Sequence, residues 1–549
     1  MASTRRKRSK VAAVMLRPTS VTPTPVSVLS ASTGARVDLV GSVATDVEVT
    51  GATLRGQDVM PGDLFAALPG DRTHGAQYAD QAVAAGATAI LTDPAGRAEL
   101  SRVLPPDAAV AVLVHPKPRD VLGQVSARIY GHPSRRMKLI GITGTSGKTT
   151  TAYMVEAALL AAGHSVGLIG TVQTRIDGVA QPSTLTTPEA PTLQALLAMM
   201  LEKGVDAVVM EVSSHALALG RVDGAHFAIG AFTNLSQDHL DFHRTMRAYF
   251  EAKAQLFAPA ASTSAVRSVI CVDDDWGRRM VEVARGDRRS ADRQAALVTV
   301  STGAVPAQWQ AGPSTVDADG VQHAEVTAPG GTQHELTVPL PGRYNIANAS
   351  MALAIAVGAG VPAGVAVEAI AGTSVPGRLE RIDRGQDFLV VVDYAHKPAA
   401  LDAVIATLRA QTRGRVAVVV GAGGDRDTGK RPMMGEIAAR GADLAIITDD
   451  NPRTEEPAAI RSEVLAGARS VDPSESGEVR EIGDRAEAIA AAARWAQPGD
   501  TVLIAGKGHE TGQEIHGVKH PFDDREVAAH ALDARALEAT TKPLEQDRP

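Results

Sequence analysis

Lys138-Leu-Ile-Gly-Ile-Thr-Gly-Thr-Ser-Gly-Lys-Thr-Thr-Thr151 decides the fold, because an apolar run passes through a glycine loop into a Lys-Thr pair that opens a helix. The pattern predicts a strand over Lys138 to Ile142, a helix over about 149–162, a stop at Gly163 and a new strand at Val166 to Ile169. That is a βαβ unit with a phosphate loop in its first turn. The backbone N–H groups of Gly144, Thr145, Ser146 and Gly147, added to the positive end of the helix, form a nest for phosphate oxygens. Lys148 would reach the β and γ phosphates, Thr149 would hold Mg2+, and Thr150 completes the ATP-binding run. The strict Gly-x4-Gly-Lys spacing is missed by one position, since the glycine is Gly141 and residue 142 is Ile. The bland alternative is a tight strand-to-helix turn.

Outward from this loop, further buried strands at Asp206 to Met210 and Ile229 to Thr233 extend a mostly parallel sheet. The stretch 301–340, rich in Gly, Pro, Thr and Gln with alternating apolar positions, suggests antiparallel edge strands. Upstream, short strands alternate with Ala-rich helices, as in Ala79 to Gly86 leading into Thr88-Ala-Ile-Leu-Thr. Downstream of Pro376-Gly-Arg, strands at Phe388 to Val392, Val416 to Val420, Leu444 to Thr448 and Thr501 to Ile504 form a third α/β unit. The chain is therefore read as α/β throughout, in three domains after a flexible basic tail over 1–36. These are a small α/β domain over 37–136, a central P-loop ATPase domain over 137–373 and a Rossmann-like domain over 374–549. A length of 549 residues agrees, at roughly 150 residues per domain.

Composition narrows the function classes. The net charge of −7 arises from 55 basic and 62 acidic residues spread along the chain, so no basic face points to nucleic acid. One cysteine, Cys271, excludes an intramolecular disulfide and a cysteine-clustered metal site, and a reducing cytoplasm fits. Arg5, Arg6, Lys7, Arg8 and Lys10 precede only six apolar residues, fewer than the roughly 7–15 of an export signal. The uncharged run 349–367 holds Gly358, Gly360, Pro362 and Gly364, so it reads as two buried helices meeting at a turn rather than a membrane span.

Several polar groups fall at the carboxyl ends of the strands, where such sheets bind ligands. Glu211 ends an apolar strand and could meet a metal held by Thr149, although a capped loop carboxylate is the plain alternative. His239, in Asn234-Leu-Ser-Gln-Asp-His, lies at the same edge, although a lone histidine in such a loop is usually structural, and Lys253 in Tyr249-Phe-Glu-Ala-Lys reads on pattern alone as a surface lysine. In the third unit, Arg426, Arg453 and Glu510 each follow a strand and are expected to converge. Two guanidinium groups and a carboxylate suit a zwitterionic small molecule, and a structural ion-pair cluster is the alternative.

Together, Gly-Thr-Ser-Gly-Lys-Thr-Thr, Glu-Val-Ser-Ser-His, Thr-Asn-Leu-Ser-x-Asp-His, Glu-Ala-Lys, Asp-Tyr-Ala-His, Asp-Asn-Pro-Arg and Gly-Lys-Gly-His-Glu occur in an order that resembles the Mur ligases of peptidoglycan precursor synthesis. The match is to the type that adds the third amino acid to UDP-N-acetylmuramoyl-L-alanyl-D-glutamate. The resemblance implies a UDP-substrate domain, a central ATPase and an amino-acid-binding domain, acting through an acyl phosphate with ATP and Mg2+ in the cytoplasm. It implies that Lys253 is carbamylated and, with Thr149, Glu211 and His239, faces the metal. Asn345, Asn348, Arg378 and Asp393 match nucleotide contacts, and Thr186, Thr187, Ser213 and Arg221 match residues that hold the muramoyl-dipeptide. Leu54, Gly56, Asp71, Arg72 and Thr73 align with uridine-nucleotide contacts, although Leu54-Arg-Gly-Gln stands where many relatives have Leu-Asp-Ser-Arg. Lys397 likewise replaces a common threonine.

Arg426, Asp450, Asn451, Pro452, Arg453, Gly506 and Glu510 match the amino-acid site. Meso-diaminopimelate is the expected amino acid, because its second carboxylate gives Arg453 a bidentate partner that L-lysine lacks. The expected partners are these small molecules alone, with no membrane and a monomeric chain. A different amide ligase on the same scaffold, such as a folylpolyglutamate synthetase, and a non-ligase ATPase are the rival readings.

Overall fold

Apolar β-branched runs become buried parallel strands at the places the pattern predicted, and the loops that follow them gather the polar residues. The protein is described here by a computed structural model covering residues 17–42, 46–70, 72–181, 185–286, 296–317 and 321–541. Two compact units emerge: one carries the N-terminal and central sheets, and the other carries the C-terminal sheet from Ala371 onward, with 312–325 and 335–346.

In the first unit, the central sheet runs in the order Val166–Ile169, Ala207–Glu211, Lys138–Thr143, Ile229–Phe232, Arg267–Cys271, Leu297–Ser301. All of these pairings are parallel. The hairpin Thr174–Ile176 and Val179–Gln181 adds antiparallel to Val166–Ile169. Register sets the site: Glu211 pairs with Ile142 and Phe232 with Thr143, so the loops leaving three adjacent strands emerge at one sheet edge. The helix Lys148–Ala161 follows the central strand and is buried along most of its length, so its first turn is fixed against that edge.

The N-terminal sheet orders as Arg36–Val40, Val110–Val114, Ala89–Thr92, Asp63–Ala66, Gly51–Thr53. The expected flexible tail over 1–36 requires correction. Residues 1–16 lie outside the described residues, but 17–36 are folded, with a helix at Val26–Thr33 whose Val26 and Leu29 are buried. Arg17 forms a two-pronged ion pair with buried Asp63, at 2.5 and 2.8 Å. The basic residues at 5–10 masked this, because charge density there concealed the apolar spacing that begins at Val26.

The second unit holds a sheet in the order Glu380–Arg381, Leu389–Asp393, Thr501–Ala505, Val416–Val420, Leu444–Ile447, Glu478–Glu481. Arg485 and Asp524, both fully buried, pair at 2.7 Å, and Arg485 also donates to the Ala505 carbonyl at 2.9 Å. The last helix, Asp524–Thr541, is thereby tied to the strand end that leads into Gly506. The uncharged run 349–367 divides between helices Arg343–Gly358 and Ala363–Ala371, and no helix among the described residues is long and apolar enough to cross a membrane.

Cys271 ends a buried strand, and burial with Asp273 nearby pushes its thiol up to about 12. The thiol is therefore protonated at neutral pH, and a thiolate is what alkylates. Native protein is expected to resist iodoacetamide at pH 8 and to take up one equivalent after denaturation. Mass spectrometry checks this, and native labelling at the rate of a free thiol contradicts it.

Candidate active site

Between the strand Lys138–Thr143 and the helix Lys148–Ala161, the backbone turns on two glycines with positive φ, 147° at Gly144 and 86° at Gly147. A Cβ on Gly147 would collide with the side-chain oxygen of Asn348, so the glycine permits the loop to lie against that buried asparagine. The Lys148 ammonium donates to the Gly144 and Thr145 carbonyls at 2.9 and 3.0 Å. The loop is braced from the next strand by residues whose role the sequence did not reveal. Asn234 accepts from the Ser146 N–H at 2.9 Å, and its carbonyl accepts from the Thr145 N–H at 3.0 Å. Thr233 donates to the Ser146 carbonyl at 2.7 Å. The only sequence signal was the Thr-Asn-Leu-Ser motif, whose polar residues follow a buried strand.

Glu211 is 1% exposed, which makes its partners decisive. Thr149 donates to its Oε1 at 3.0 Å, while the Thr171 N–H and hydroxyl donate to Oε1 and Oε2 at 2.8 and 3.0 Å. A carboxylate beside a hydroxyl is a hard-oxygen donor set of the kind Mg2+ takes. Thr150 is buried on the same helical turn.

Lys253 is also 1% exposed, in contrast to the surface position its sequence pattern suggested. The helix Met246–Ala254 directs it inward, where Nζ donates to the Gly144 carbonyl at 2.9 Å and lies 4.6 Å from the centre of the Tyr249 ring. Tyr249, buried as well, places its hydroxyl 3.1 Å from that of Thr145. His239 is 42% exposed, in a left-handed conformation with φ 52°, and Nε2 lies 3.1 Å from Asp238. Its ring stands edge-on to His215 at 4.7 Å and is 6.1 Å from that of Tyr249. Burial lowers the pKa of His215 and His243 in this cluster.

The residues expected to hold an acyl substrate lie beside Glu211. Thr187 donates to the Glu211 carbonyl at 2.9 Å and accepts from the Ser213 N–H at 3.1 Å. Thr186 lies 3.1 Å from the Thr171 hydroxyl, and Arg221 pairs with Glu189 at 2.8 Å. In the N-terminal sheet's loops, Leu54 and Gly56 are half-buried and Arg72 and Thr73 exposed, while Asp71 lies outside the described residues.

In the second unit, Asn345 is buried and donates to the Pro341 carbonyl at 2.7 Å. Asp393 accepts from the Leu379 and Ala395 N–H groups at 2.7 and 2.8 Å, and Arg378 lies over the Tyr394 ring at 4.6 Å. Burial pushes the Asp393 carboxyl up, and the Arg378 charge pulls it partly back. Lys397 precedes the helix Pro398–Gln411, and nothing in the structure explains its replacement of threonine.

The loops after three strands of this unit meet through Asn451, Lys507 and Glu510. Gly424 N–H donates to the Asn451 carbonyl at 2.9 Å, Asn451 donates to Glu510 at 2.8 Å, and buried Lys507 donates to both Asn451 and Glu510 at 3.0 and 3.3 Å. Asp450 lies 3.8 Å from Lys507 and would meet a Cβ on Gly506, while Pro452 is buried beside them. Arg453, with φ 54°, hydrogen-bonds the Gly424 carbonyl and lies 3.9 Å from Glu514. Arg426 is exposed on the first of these loops. The sequence did not single out Lys507, since nothing in its spacing distinguishes a buried lysine from a solvated one.

Family models match along the chain in the same order. The Mur ligase family catalytic domain matches 48–130, the Mur ligase middle domain 142–356, and the Mur ligase glutamate ligase domain 377–508. The chain belongs to the Mur ligase family. A UDP-N-acetylmuramoyl-L-alanyl-D-glutamate--2,6-diaminopimelate ligase of Corynebacterium efficiens is 55% identical over 471 residues, covering 85% of this chain and 87% of that protein. The protein of the same name from Streptomyces avermitilis is 48% identical over 520 residues, covering 94% and 98%. Among solved structures, one bearing this ligase name matches with a TM-score of 0.63 at 32% identity, over 89% of this chain and 96% of that one. A Mycobacterium tuberculosis folylpolyglutamate synthase shares the fold at 20% identity, with a TM-score of 0.56 over 78% and 95%. Within this Mur ligase, the phosphate loop, Glu211 and the Thr186–Ser213 group lie together in the first unit, and the loops bearing Asn451 and Glu510 meet in the second.

Proposed function

We propose that the protein is the ATP-dependent ligase that adds meso-diaminopimelate to UDP-N-acetylmuramoyl-L-alanyl-D-glutamate in peptidoglycan precursor synthesis. The observation that carries the reading is Glu211, whose carboxylate meets the phosphate-loop Thr149 while its backbone carbonyl meets Thr187 of the acyl-substrate group. One residue thus links the place for a γ-phosphate to the place for a substrate carboxylate. Relatives at 48–55% identity that bear this ligase name support the choice of substrates.

The chemical obstacle is bringing a carboxylate onto a γ-phosphate, anion against anion. In the first unit, Lys148 and the loop N–H groups that Asn234 does not occupy supply positive charge to the phosphates, beside Asn348. The family resemblance gives Asn345, Arg378 and Asp393, in the second unit, as further nucleotide contacts. Thr149, Glu211, His239 and carbamylated Lys253 would hold magnesium, which when bound would supply charge that offsets the phosphate oxygens. Lys253 fits this set only as a carbamate, since an ammonium repels a metal. Its amine nitrogen adds to carbon dioxide, the displaced C–O π pair ends on oxygen, and one proton leaves to solvent. The D-glutamyl carboxylate, positioned by Thr186, Thr187, Ser213 and Arg221, takes the γ-phosphoryl group and ADP leaves. The amine of diaminopimelate then attacks the acyl carbon and phosphate departs. Leu54, Gly56 and Asp71 to Thr73 hold the uridine end.

Arg426, Asp450, Asn451, Pro452, Arg453, Gly506 and Glu510 take the amino acid, with Arg453 on the carboxylate that L-lysine lacks. The nucleotide-linked substrate and ATP place the reaction in the cytoplasm, and one chain carries every group named, so a monomer suffices.

The test is ADP release from the UDP-muramoyl-dipeptide with meso-diaminopimelate, L-lysine or no amino acid. Dependence on both the dipeptide and diaminopimelate is expected; release without an acyl acceptor overturns the reading. Arg453→Ala is expected to lose roughly tenfold to a hundredfold in rate at limiting diaminopimelate, the scale of a lost charge-assisted hydrogen bond. Unchanged activity there removes Arg453 from the diaminopimelate site.

A further inference from the structure

Thr171 follows the strand Val166–Ile169 by way of Gly170, in a segment that none of the sequence motifs includes. Its backbone N–H and hydroxyl give both Glu211 oxygens a donor, at 2.8 and 3.0 Å. The same hydroxyl lies 3.1 Å from that of Thr186. A hydroxyl has one proton and two lone pairs, so Thr171 can donate to Glu211 only while accepting from Thr186. The direction of the chain is therefore fixed: Thr186 to Thr171 to Glu211.

Two further features hold the segment in place. A Cβ on Gly170 would lie 2.5 Å from Glu211 Oε1, so only glycine lets this backbone approach a carboxylate already fixed by Thr149. Downstream, Arg175 pairs with Glu156, buried on the phosphate-loop helix, and lies 4.3 Å over the Tyr153 ring, while Gln173 donates to the Tyr153 hydroxyl at 3.1 Å. The loop bearing Thr171 is thus clamped to the same helix that carries Lys148 and Thr149.

We infer that Thr171 is a positioning residue that orients the Glu211 carboxylate toward the metal and joins it to the acyl-substrate residue Thr186. The inference rests on the reading of Glu211 as a magnesium ligand. Without the Thr171 hydroxyl, Oε2 loses its donor and the carboxylate can rotate away from Thr149. The loss falls on the metal-bound nucleotide rather than on the nucleotide alone.

Calorimetry of ADP binding, with and without Mg2+ and in the absence of other substrates, separates these effects without turnover. Thr171→Val keeps the shape and removes the hydroxyl, and it is expected to weaken Mg2+-ADP binding on the order of tenfold while Mg2+-free ADP binds within about twofold of wild type. Thr171→Ser restores the hydroxyl and is expected to recover Mg2+-ADP affinity to within about threefold of wild type. Equal weakening with and without Mg2+ would mark a general structural defect and overturn the inference. So would unchanged Mg2+-ADP binding in Thr171→Val, or a Ser variant as weak as Val. A wild-type protein whose ADP affinity ignores Mg2+ fails at an earlier step: it removes the magnesium reading of Glu211 and the inference with it.

Discussion

Lys253→Arg is expected to fold, to bind ADP, and to lose on the order of a thousandfold in ligation rate, a transition-state loss of about 4 kcal/mol. Arginine keeps a positive charge and a long stem, so it can still donate toward the Gly144 carbonyl that Lys253 meets at 2.9 Å. It cannot become a carbamate, because its guanidinium stays protonated at any working pH. The variant therefore separates two roles that alanine would remove together, a cation supporting the phosphate loop and an anion facing a metal. Phosphate release with all substrates gives the rate, and a carbon-13 carbamate resonance under labelled bicarbonate gives the modification. Wild type should show that resonance and Lys253→Arg should not. An arginine variant with near-normal turnover would show that Lys253 serves as a cation and that no carbamate is needed.

Lys148→Ala should cost a similar factor by a different route. Lys148 donates to the Gly144 and Thr145 carbonyls, but the loop keeps independent braces without it, because Thr145 and Ser146 are also held by Asn234 and Thr233. The substitution thus removes a positive charge from an otherwise intact cradle. Such a donor, aimed at developing charge in a water-poor site, contributes about 2.7–4 kcal/mol, or roughly a hundredfold to a thousandfold in kcat. Turnover should fall with the melting temperature nearly unchanged. If activity and melting temperature fall together, the lysine is a structural strut for the loop.

Both effects concern residues that the sequence located unequally well. Lys148 was legible from local chemistry, since a buried strand, glycines and a helix start leave few other uses for Gly-Lys-Thr. The strands were legible for a related reason: Val416 to Val420 or Ala207 to Met210 are too apolar to lie anywhere but between layers. Lys253 was not, because a lysine at one position of a nine-residue helix looks the same whether its stem is solvated or drawn into the sheet. Only the family pattern pointed inward, and the burial agrees with it. Thr171, Asn234 and Lys507 were illegible for a further reason. Each has a hydrogen bond to a residue 40 or more positions away, which no local periodicity encodes. The folded stretch at 17–36 was lost to a compositional cue, since its adhesion depends on Arg17 finding Asp63, 46 residues later.

The buried Arg485–Asp524 pair bears on fidelity as well as on folding. Arg485 grips the Ala505 carbonyl, one residue before Gly506, and Asp524 opens the terminal helix whose Ala528 and Leu532 face the core. The final helix therefore acts as a counterweight to the loop that carries Lys507 and Glu510. On the proposed reading of that loop as part of the amino-acid site, errors in the packing of this helix are expected to loosen selection among amino acids through residues placed away from the substrate.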